Sequence, residues 1–138
     1  MEVLKVNLPS NYDENPFIVI WELTRACQLK CLHCRAEAQY KRDPRELTFE
    51  QGKALIDEIY ENMGNPMLVF TGGDPLERED VFDIAQYAVQ KGVRVSMTPS
   101  ATPNVTKEAM QKAKDVGLAR WAFSIDGPNA EIHDHFRG

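Results

Sequence analysis

The chain has 138 residues, about the size of one domain, and its 43% hydrophobic and 27% charged residues are typical of a globular protein. Its 16 basic and 21 acidic residues give a net charge of −5, which argues against nucleic acid as a partner because that partner needs a basic face. No apolar run approaches the roughly 18 residues of a membrane span, and no secretory signal opens the chain, so we expect a cytoplasmic protein.

Residues 1–16 are polar and contain two prolines, so we interpret them as a lead-in of loop or edge structure. Residues 17–21 are apolar and rich in β-branched and aromatic side chains, which is typical of a strand buried on both faces. A segment with three cysteines follows directly, and residues 41–45 form a charged loop after it.

Three helices alternate with three more strands in the rest of the chain. The first helix begins with a capping box at Thr48 and Gln51 and ends near Gly64. The second helix ends near Gly92, and the third begins after Thr106. The strands between and after them are predicted at 67–70, 93–97 and 118–125.

The resulting order, β-α-β-α-β-α-β, predicts an α/β fold with parallel strands. In such folds the functional residues lie at the carboxyl ends of the strands. The loops there are rich in cysteine, glycine, proline or small polar residues, so we expect the chemistry on one face. These loops are the cysteine segment, 71–75, 98–103 and 124–128.

Cys27, Cys31 and Cys34 have the spacing C-x3-C-x2-C and are the three cysteines of the chain. An odd count argues against a disulfide framework, and a reducing cytoplasm favours metal binding. Three cysteine ligands would leave one iron of a [4Fe–4S] cluster open for a further ligand. A structural zinc site needs a fourth ligand, for which the adjacent His33 is awkwardly placed, and three unliganded thiols are the remaining interpretation.

The motifs together resemble the radical S-adenosylmethionine (radical SAM) superfamily. C-x3-C-x2-C after a first strand is the signature of that family, and His33 stands where the family often has an aromatic residue. Gly-Gly-Asp-Pro at 72–75 resembles its Gly-Gly-Glu-type motif, with a shorter acidic side chain. Ser-Ile-Asp-Gly at 124–127 resembles the Ser-Leu-Asp-Gly-type motif of members that modify peptides or build cofactors. The resemblance covers roughly residues 17–138.

The resemblance implies a partial (βα) barrel of radical SAM type, with about four of six βα units present. It implies a [4Fe–4S] cluster on the three cysteines, S-adenosylmethionine, and a one-electron donor such as ferredoxin or flavodoxin. The implied chemistry is a 5′-deoxyadenosyl radical that abstracts hydrogen from a small molecule or a peptide. The residues that the resemblance places against the cofactor are Gly72, Gly73, Asp74, Ser100, Ser124, Asp126 and His33.

Residues 98–103 and 133–138 look most like the branch that often carries a C-terminal auxiliary-cluster (SPASM-type) domain. Members of that branch mature haem-type cofactors, tungsten cofactors or peptides. We interpret 17–138 as a core truncated at its C-terminus: a fragment, a truncated gene product, or half of a split enzyme completed by a C-terminal partner chain. A non-catalytic module that binds the cluster and S-adenosylmethionine, and a structural zinc domain, are the alternatives.

Three further expectations concern residues outside the motifs. Arg25 and Arg35 flank the cysteine segment, where they could face the charge of the cofactor or form surface salt bridges. We expect His133 and His135 to lie in a solvated turn. We expect both tryptophans, Trp21 and Trp121, to belong to the core.

Overall fold

Within residues 11–138, which are those that the computed structural model describes, four parallel strands form one sheet in chain order. Residues 1–10 of the predicted lead-in lie outside the described residues. The strands are β1 (Ile18–Thr24), β2 (Met67–Gly72), β3 (Val95–Met97) and β4 (Arg120–Trp121). The helices are α1 (Phe49–Asn62), α2 (Val81–Lys91), α3 (Lys107–Asp115) and α4 (Ala130–Arg137), and a 3-10 turn covers Pro75–Glu77.

The helix boundaries follow side-chain and glycine caps that are visible in the sequence. The Gln51 amide donates to the Thr48 hydroxyl at 3.3 Å, and the Gln51 side chain accepts from the Thr48 amide at 2.9 Å, so the predicted capping box is confirmed. Gly92 ends α2 in the left-handed conformation, with φ of 97°. The Thr106 hydroxyl accepts from the Ala109 amide at 3.1 Å and begins α3.

The hydrophobic core lies between the sheet and helices α1 and α2. The rings of Trp21 and Phe70 meet edge to face at its centre, with centroids 5.7 Å apart. Trp21 is therefore a core residue as predicted, whereas Trp121 is only half-buried and lies outside this core. The other buried members are Leu23, Ile56, Ile59, Leu68, Val81, Ile84, Ala85, Ala88, Val93, Val95 and Met97.

The other face of the sheet is open at β1. Ile18 is 44% exposed and Ile20 is 64% exposed, so the prediction that this strand is buried on both faces is wrong. The reason is that α1 and α2 pack on one face, while Ile18 and Ile20 point to the face that lies inside a barrel. Parallel strands in sequential order with their helices on one side are a partial (βα) barrel, as predicted.

The fourth strand is shorter than the predicted 118–125. After Trp121 one more backbone bond reaches β3, from the Ala122 amide to the Met97 carbonyl at 3.0 Å. Because β3 ends at Met97 and Pro99 follows without an N–H group, the pairing stops there. Ser124 and Asp126 consequently lie on a loop rather than on a strand.

Helix α4 replaces the solvated turn that we expected around His133 and His135. The Asn129 side chain accepts from the Ile132 amide at 3.0 Å and caps the first turn of this helix. The Nδ1 atom of His133 accepts from the Asp126 amide at 3.1 Å, which joins the helix to the loop after β4. The Asn129 cap was the signal in the sequence, and none of the eight residues of this helix is fully buried.

Among residues 11–138, every helix falls short of the length and hydrophobicity that a membrane crossing would need.

Candidate functional site

A cavity of about 340 Å³ opens at the carboxyl ends of the strands. It is lined by the cysteine segment after β1, the glycines at the end of β2 and residues 98–100 after β3. Ser124, which follows β4, and Arg137 of α4 complete the lining. The predicted site residues that line this cavity are Cys27, Cys31, Cys34, His33, Gly72, Gly73, Ser100 and Ser124. Asp74 and Asp126 belong to the same prediction and do not line it.

The cysteine segment is a loop closed by backbone hydrogen bonds. The Cys27 amide donates to the Gln39 carbonyl at 2.8 Å, and the Gln39 amide donates to the Arg25 carbonyl at the same distance. Inside the loop, the Cys34 amide donates to the Cys31 carbonyl at 3.1 Å and forms a turn. Closing the loop at its base holds Cys27, Cys31 and Cys34 on a short segment that lines the cavity.

Each cysteine sulfur accepts one N–H group. Two of the donors are backbone amides within the segment, and the third is a guanidinium from α4. Hydrogen bonds from N–H groups to the cysteine sulfurs are a common feature of iron–sulfur sites, so this donor set fits such a cluster. The pairs are Leu29 N with Cys27 Sγ at 3.4 Å, Ala38 N with Cys34 Sγ at 3.4 Å, and Arg137 Nη1 with Cys31 Sγ at 3.8 Å.

The side chains do not form a site for a single metal ion. Across residues 11–138, no three cysteine, histidine, aspartate or glutamate side chains come close enough to share one ion. In a four-iron cluster each cysteine binds a different iron, whereas a structural zinc ion draws four ligands to one point. His33 is also engaged elsewhere, because its ring stacks on Phe136 with centroids 4.4 Å apart and an interplanar angle of 12°. The arrangement therefore favours a cluster over zinc.

At the end of β2, Gly72 and Gly73 lie in direct contact with the backbone at the end of β1 and just after it. The Gly73 amide donates to the Thr24 carbonyl at 2.8 Å, and the Asp74 amide donates to the Ala26 carbonyl at 2.7 Å. Gly72 has a φ of +136°, and a Cβ atom on Gly73 would lie 2.3 Å from the Ala26 carbonyl oxygen. Only glycine fits this approach, which brings backbone of the loop to the cavity wall.

The Asp74 carboxylate supports this glycine loop from behind. It is fully buried and accepts from the Thr102 hydroxyl at 2.6 Å and from the Leu76 amide at 3.1 Å. The Ser100 hydroxyl donates to the Gly73 carbonyl at 2.6 Å from the other side. Asp74 therefore positions the loop through its side chain, which does not reach into the cavity.

Glu46 is a supporting residue that sequence reasoning missed. Its Oε1 atom accepts from the Thr24 hydroxyl at 2.6 Å and from the Arg25 amide at 3.2 Å, just before the cysteine segment. Burial alone would raise the pKa of Glu46, but hydrogen bonds from Thr24, Arg42 and the amides of Asp43 and Arg25 outweigh it and lower that pKa. No motif or spacing in the sequence marks this glutamate.

Arg137 is the second residue that sequence reasoning missed, and it links the loop after β4 to the cysteine segment. Its Nε atom lies 2.6 Å from Asp126 Oδ2, and its Nη2 atom donates to the Ser124 carbonyl at 3.1 Å. Its third nitrogen, Nη1, contacts the Cys31 sulfur. Asp126 thus reaches the site through Arg137, and Ser124 lines the cavity directly.

The two arginines that flank the cysteine segment form salt bridges. Arg25 pairs with Glu37 at 3.3 Å and also donates to the Ala36 carbonyl at 3.1 Å. Arg35 pairs with Glu22, and its side chain is 79% exposed. Both arginines form the salt bridges of one interpretation, and Arg35 also lines the cavity, as the other interpretation requires.

A parallel α/β sheet with three N–H-bonded thiols and a glycine loop at the carboxyl ends of its strands defines a protein that binds an iron–sulfur cluster and a small polar ligand beside it. The chain belongs to the radical SAM superfamily, whose family model matches residues 21–138. Membership implies a [4Fe–4S] cluster and S-adenosylmethionine as cofactors, as the motifs predicted.

Curated relatives that match this chain are named for haem synthesis, coproporphyrin synthesis and mycofactocin maturation. The AdoMet-dependent heme synthase of Nitratidesulfovibrio vulgaris is 47% identical over 121 residues, which cover 88% of this chain and 32% of the relative. The Fe-coproporphyrin III synthase of Methanosarcina barkeri is 41% identical over 126 residues, which cover 91% of this chain and 31% of the relative. The mycofactocin maturase MftC of Mycolicibacterium smegmatis is 37% identical over 123 residues, which cover 89% of this chain and 31% of the relative. The chain spans about a third of the length of these relatives.

A solved structure has the same fold. It is that of hexahistidine-tagged anSMEcpe with bound AdoMet, and it matches with a TM-score of 0.64 and 21% sequence identity. The match covers 87% of this chain and 34% of that chain. The likeness agrees with the partial (βα) barrel described above.

Proposed function

We propose that this chain forms the cluster- and S-adenosylmethionine-binding part of a radical SAM enzyme that matures a haem-type cofactor, a tungsten cofactor or a peptide. The observation that carries the proposal is the shared cavity: three cysteines, each with an N–H donor to its sulfur, line the same cavity as Gly72 and Gly73. When bound, the reduced cluster and S-adenosylmethionine supply a 5′-deoxyadenosyl radical that abstracts a hydrogen atom from the substrate.

The residues of the chain bind and orient the cofactors rather than carry out acid–base steps. The three cysteines would hold the cluster as thiolates. The Gly73 carbonyl, oriented by Ser100, would accept a hydrogen bond from the amino group of S-adenosylmethionine. The Ser124 hydroxyl is available on the cavity wall for the ribose or carboxylate group. The Asp74 side chain would act through the glycine loop that it supports, and the Asp126 side chain would act through Arg137.

The substrate range of the proposal follows the names of the relatives. Two of them are named for haem or coproporphyrin synthesis and one for maturation of mycofactocin. A one-electron donor such as ferredoxin or flavodoxin would supply the electron, and the substrate would be a small molecule or a peptide. A partner chain that completes the barrel is part of the same proposal, because the inner face of β1 exposes Ile18 and Ile20.

The test is anaerobic reconstitution of the chain with iron and sulfide, followed by addition of dithionite and S-adenosylmethionine. We expect about four irons per chain, retention of radiolabelled S-adenosylmethionine in equilibrium dialysis, and release of 5′-deoxyadenosine. A variant with Cys27→Ala, Cys31→Ala and Cys34→Ala should lose all three signals. Binding of S-adenosylmethionine without 5′-deoxyadenosine, even after a C-terminal partner chain is added, would favour the non-catalytic module. One tightly held zinc and no iron would favour the structural zinc domain.

A further inference from the structure

The structure assigns Arg137 a role toward the cluster. We propose that Arg137 is a positioning residue whose guanidinium, anchored by Asp126, donates a charged hydrogen bond to the Cys31 sulfur and raises the reduction potential of the cluster. The inference rests on the proposed function, because it requires a cluster on the three cysteines. It concerns a residue outside the cysteine and glycine motifs.

The guanidinium of Arg137 uses each of its nitrogens on a different partner. Nε faces the Asp126 carboxylate at 2.6 Å, a charge–charge contact, and Nη2 donates to the Ser124 carbonyl at 3.1 Å. Nη1 then points to Cys31 Sγ at 3.8 Å. The arginine side chain is 15% exposed and the aspartate side chain 25%, so solvent screens these contacts only partly. Because the guanidinium is rigid and planar, the ion pair with Asp126 and the hydrogen bond to Ser124 together fix the direction in which Nη1 points.

The helix that carries Arg137 is itself attached to the cysteine segment. The Leu32 amide donates to the Phe136 carbonyl at 2.9 Å, and the Phe136 ring stacks on His33. Both contacts lie within two residues of Cys31 and within one residue of Arg137. The distance between the guanidinium and the sulfur is therefore set by backbone and ring contacts between α4 and the cysteine segment.

The charge on this donor distinguishes Cys31 from the other two ligands. Cys27 and Cys34 accept from neutral backbone amides, whereas Cys31 accepts from a cation. Reduction by an external one-electron reductant converts [4Fe–4S]2+ to [4Fe–4S]+ and adds one negative charge, with no proton transferred. A charged hydrogen bond at a ligand sulfur stabilises the more negative state more strongly, which raises the potential.

The experiment is a redox titration of the reconstituted chain and of Arg137→Gln, monitored by the electron paramagnetic resonance signal of the reduced cluster. For the variant we expect full iron content and a one-electron reduction equilibrium about tenfold less favourable, which lowers the midpoint by about 59 mV. Arg137→Lys keeps the charge without the fork, so its midpoint should lie between the two. Arg45→Gln is the matched control, because it removes the same charge from an exposed arginine outside the cavity that is paired with Asp43. Its shift should be less than a third as large.

The outcomes separate this inference from the proposed function. A fully loaded Arg137→Gln chain with an unchanged midpoint overturns the inference, as does an equal shift in Arg45→Gln, which would make net charge the cause. If Arg137→Gln loses iron, Arg137→Lys decides: an intermediate midpoint supports the role, and loss of iron there too shows a purely structural arginine and overturns it. An unmodified chain that takes up no iron would instead overturn the proposed function and this inference with it.

Discussion

The Ser100 hydroxyl donates a 2.6 Å hydrogen bond to the carbonyl oxygen of Gly73, a residue 27 positions earlier in the chain. This bond connects the loop after β3 to the loop after β2 on the wall of the same cavity. A carbonyl oxygen has two lone pairs, so Gly73 can accept from Ser100 and from a ligand at once. Ser100 thereby orients an acceptor that the cofactor would use.

Removing this hydroxyl should weaken cofactor binding without removing the cluster. In Ser100→Ala the dissociation constant for S-adenosylmethionine should rise about fivefold, because about 1 kcal/mol of orientation is lost. Anaerobic equilibrium dialysis of the iron-loaded chain measures this constant. Ser100→Thr keeps a hydroxyl and should restore most of the affinity. An iron-loaded Ser100→Ala chain that binds as tightly as the unmodified chain would contradict the role.

A methyl group on Gly73 should prevent the glycine loop from meeting the cysteine segment. Because its Cβ would lie 2.3 Å from the Ala26 carbonyl oxygen, the Gly73→Ala chain must separate the two loops, and we expect most of the iron uptake to be lost. Gly92→Ala is the control: Gly92 has a positive φ of 97°, which Gly73 does not, but the nearest atom to its Cβ would be 3.7 Å away and it lies outside the cavity. Gly92→Ala should cost about 1 kcal/mol of stability and keep its iron. Iron analysis after reconstitution compares them, and equal iron in both variants would refute the packing argument.

Glu46 should contribute a stability that depends on pH. Its pKa is lower in the folded chain than in the unfolded chain, so the contribution is complete above the unfolded value of about 4.3 and is lost as the pH falls through the folded pKa. Glu46→Gln should therefore lower the free energy of unfolding at pH 7 by roughly 1–3 kcal/mol, and the difference from the unmodified chain should shrink in acid. Urea unfolding at a series of pH values measures this difference. The exposed Glu79→Gln serves as control, and a difference for Glu46→Gln that stays constant to pH 3 would disprove the assignment.

The sequence predicted the parts of this site that local chemistry determines. Thr48 with Gln51, and Gly92, mark helix ends that depend on a few neighbouring residues, so the order of elements and the meeting of the strand-end loops could be predicted. The contact between Arg137 and Cys31 spans 106 positions and depends on how α4 packs, which no local pattern encodes. The support from Glu46 likewise depends on a loop that turns back to the end of β1.

The cap of α4 should control how firmly the cluster is held. Asn129→Ala removes the hydrogen bond to the Ile132 amide and should cost about 1 kcal/mol, which loosens a helix that buries no side chain and carries Arg137 and Phe136. Thr106→Ala is the matched control, because it removes the equivalent cap from α3, whose residues do not line the cavity. Both variants should unfold more easily in urea, but only Asn129→Ala should release iron to a chelator several-fold faster than the unmodified chain. Equal release rates from the two variants would show that general stability, rather than α4, governs retention of the cluster.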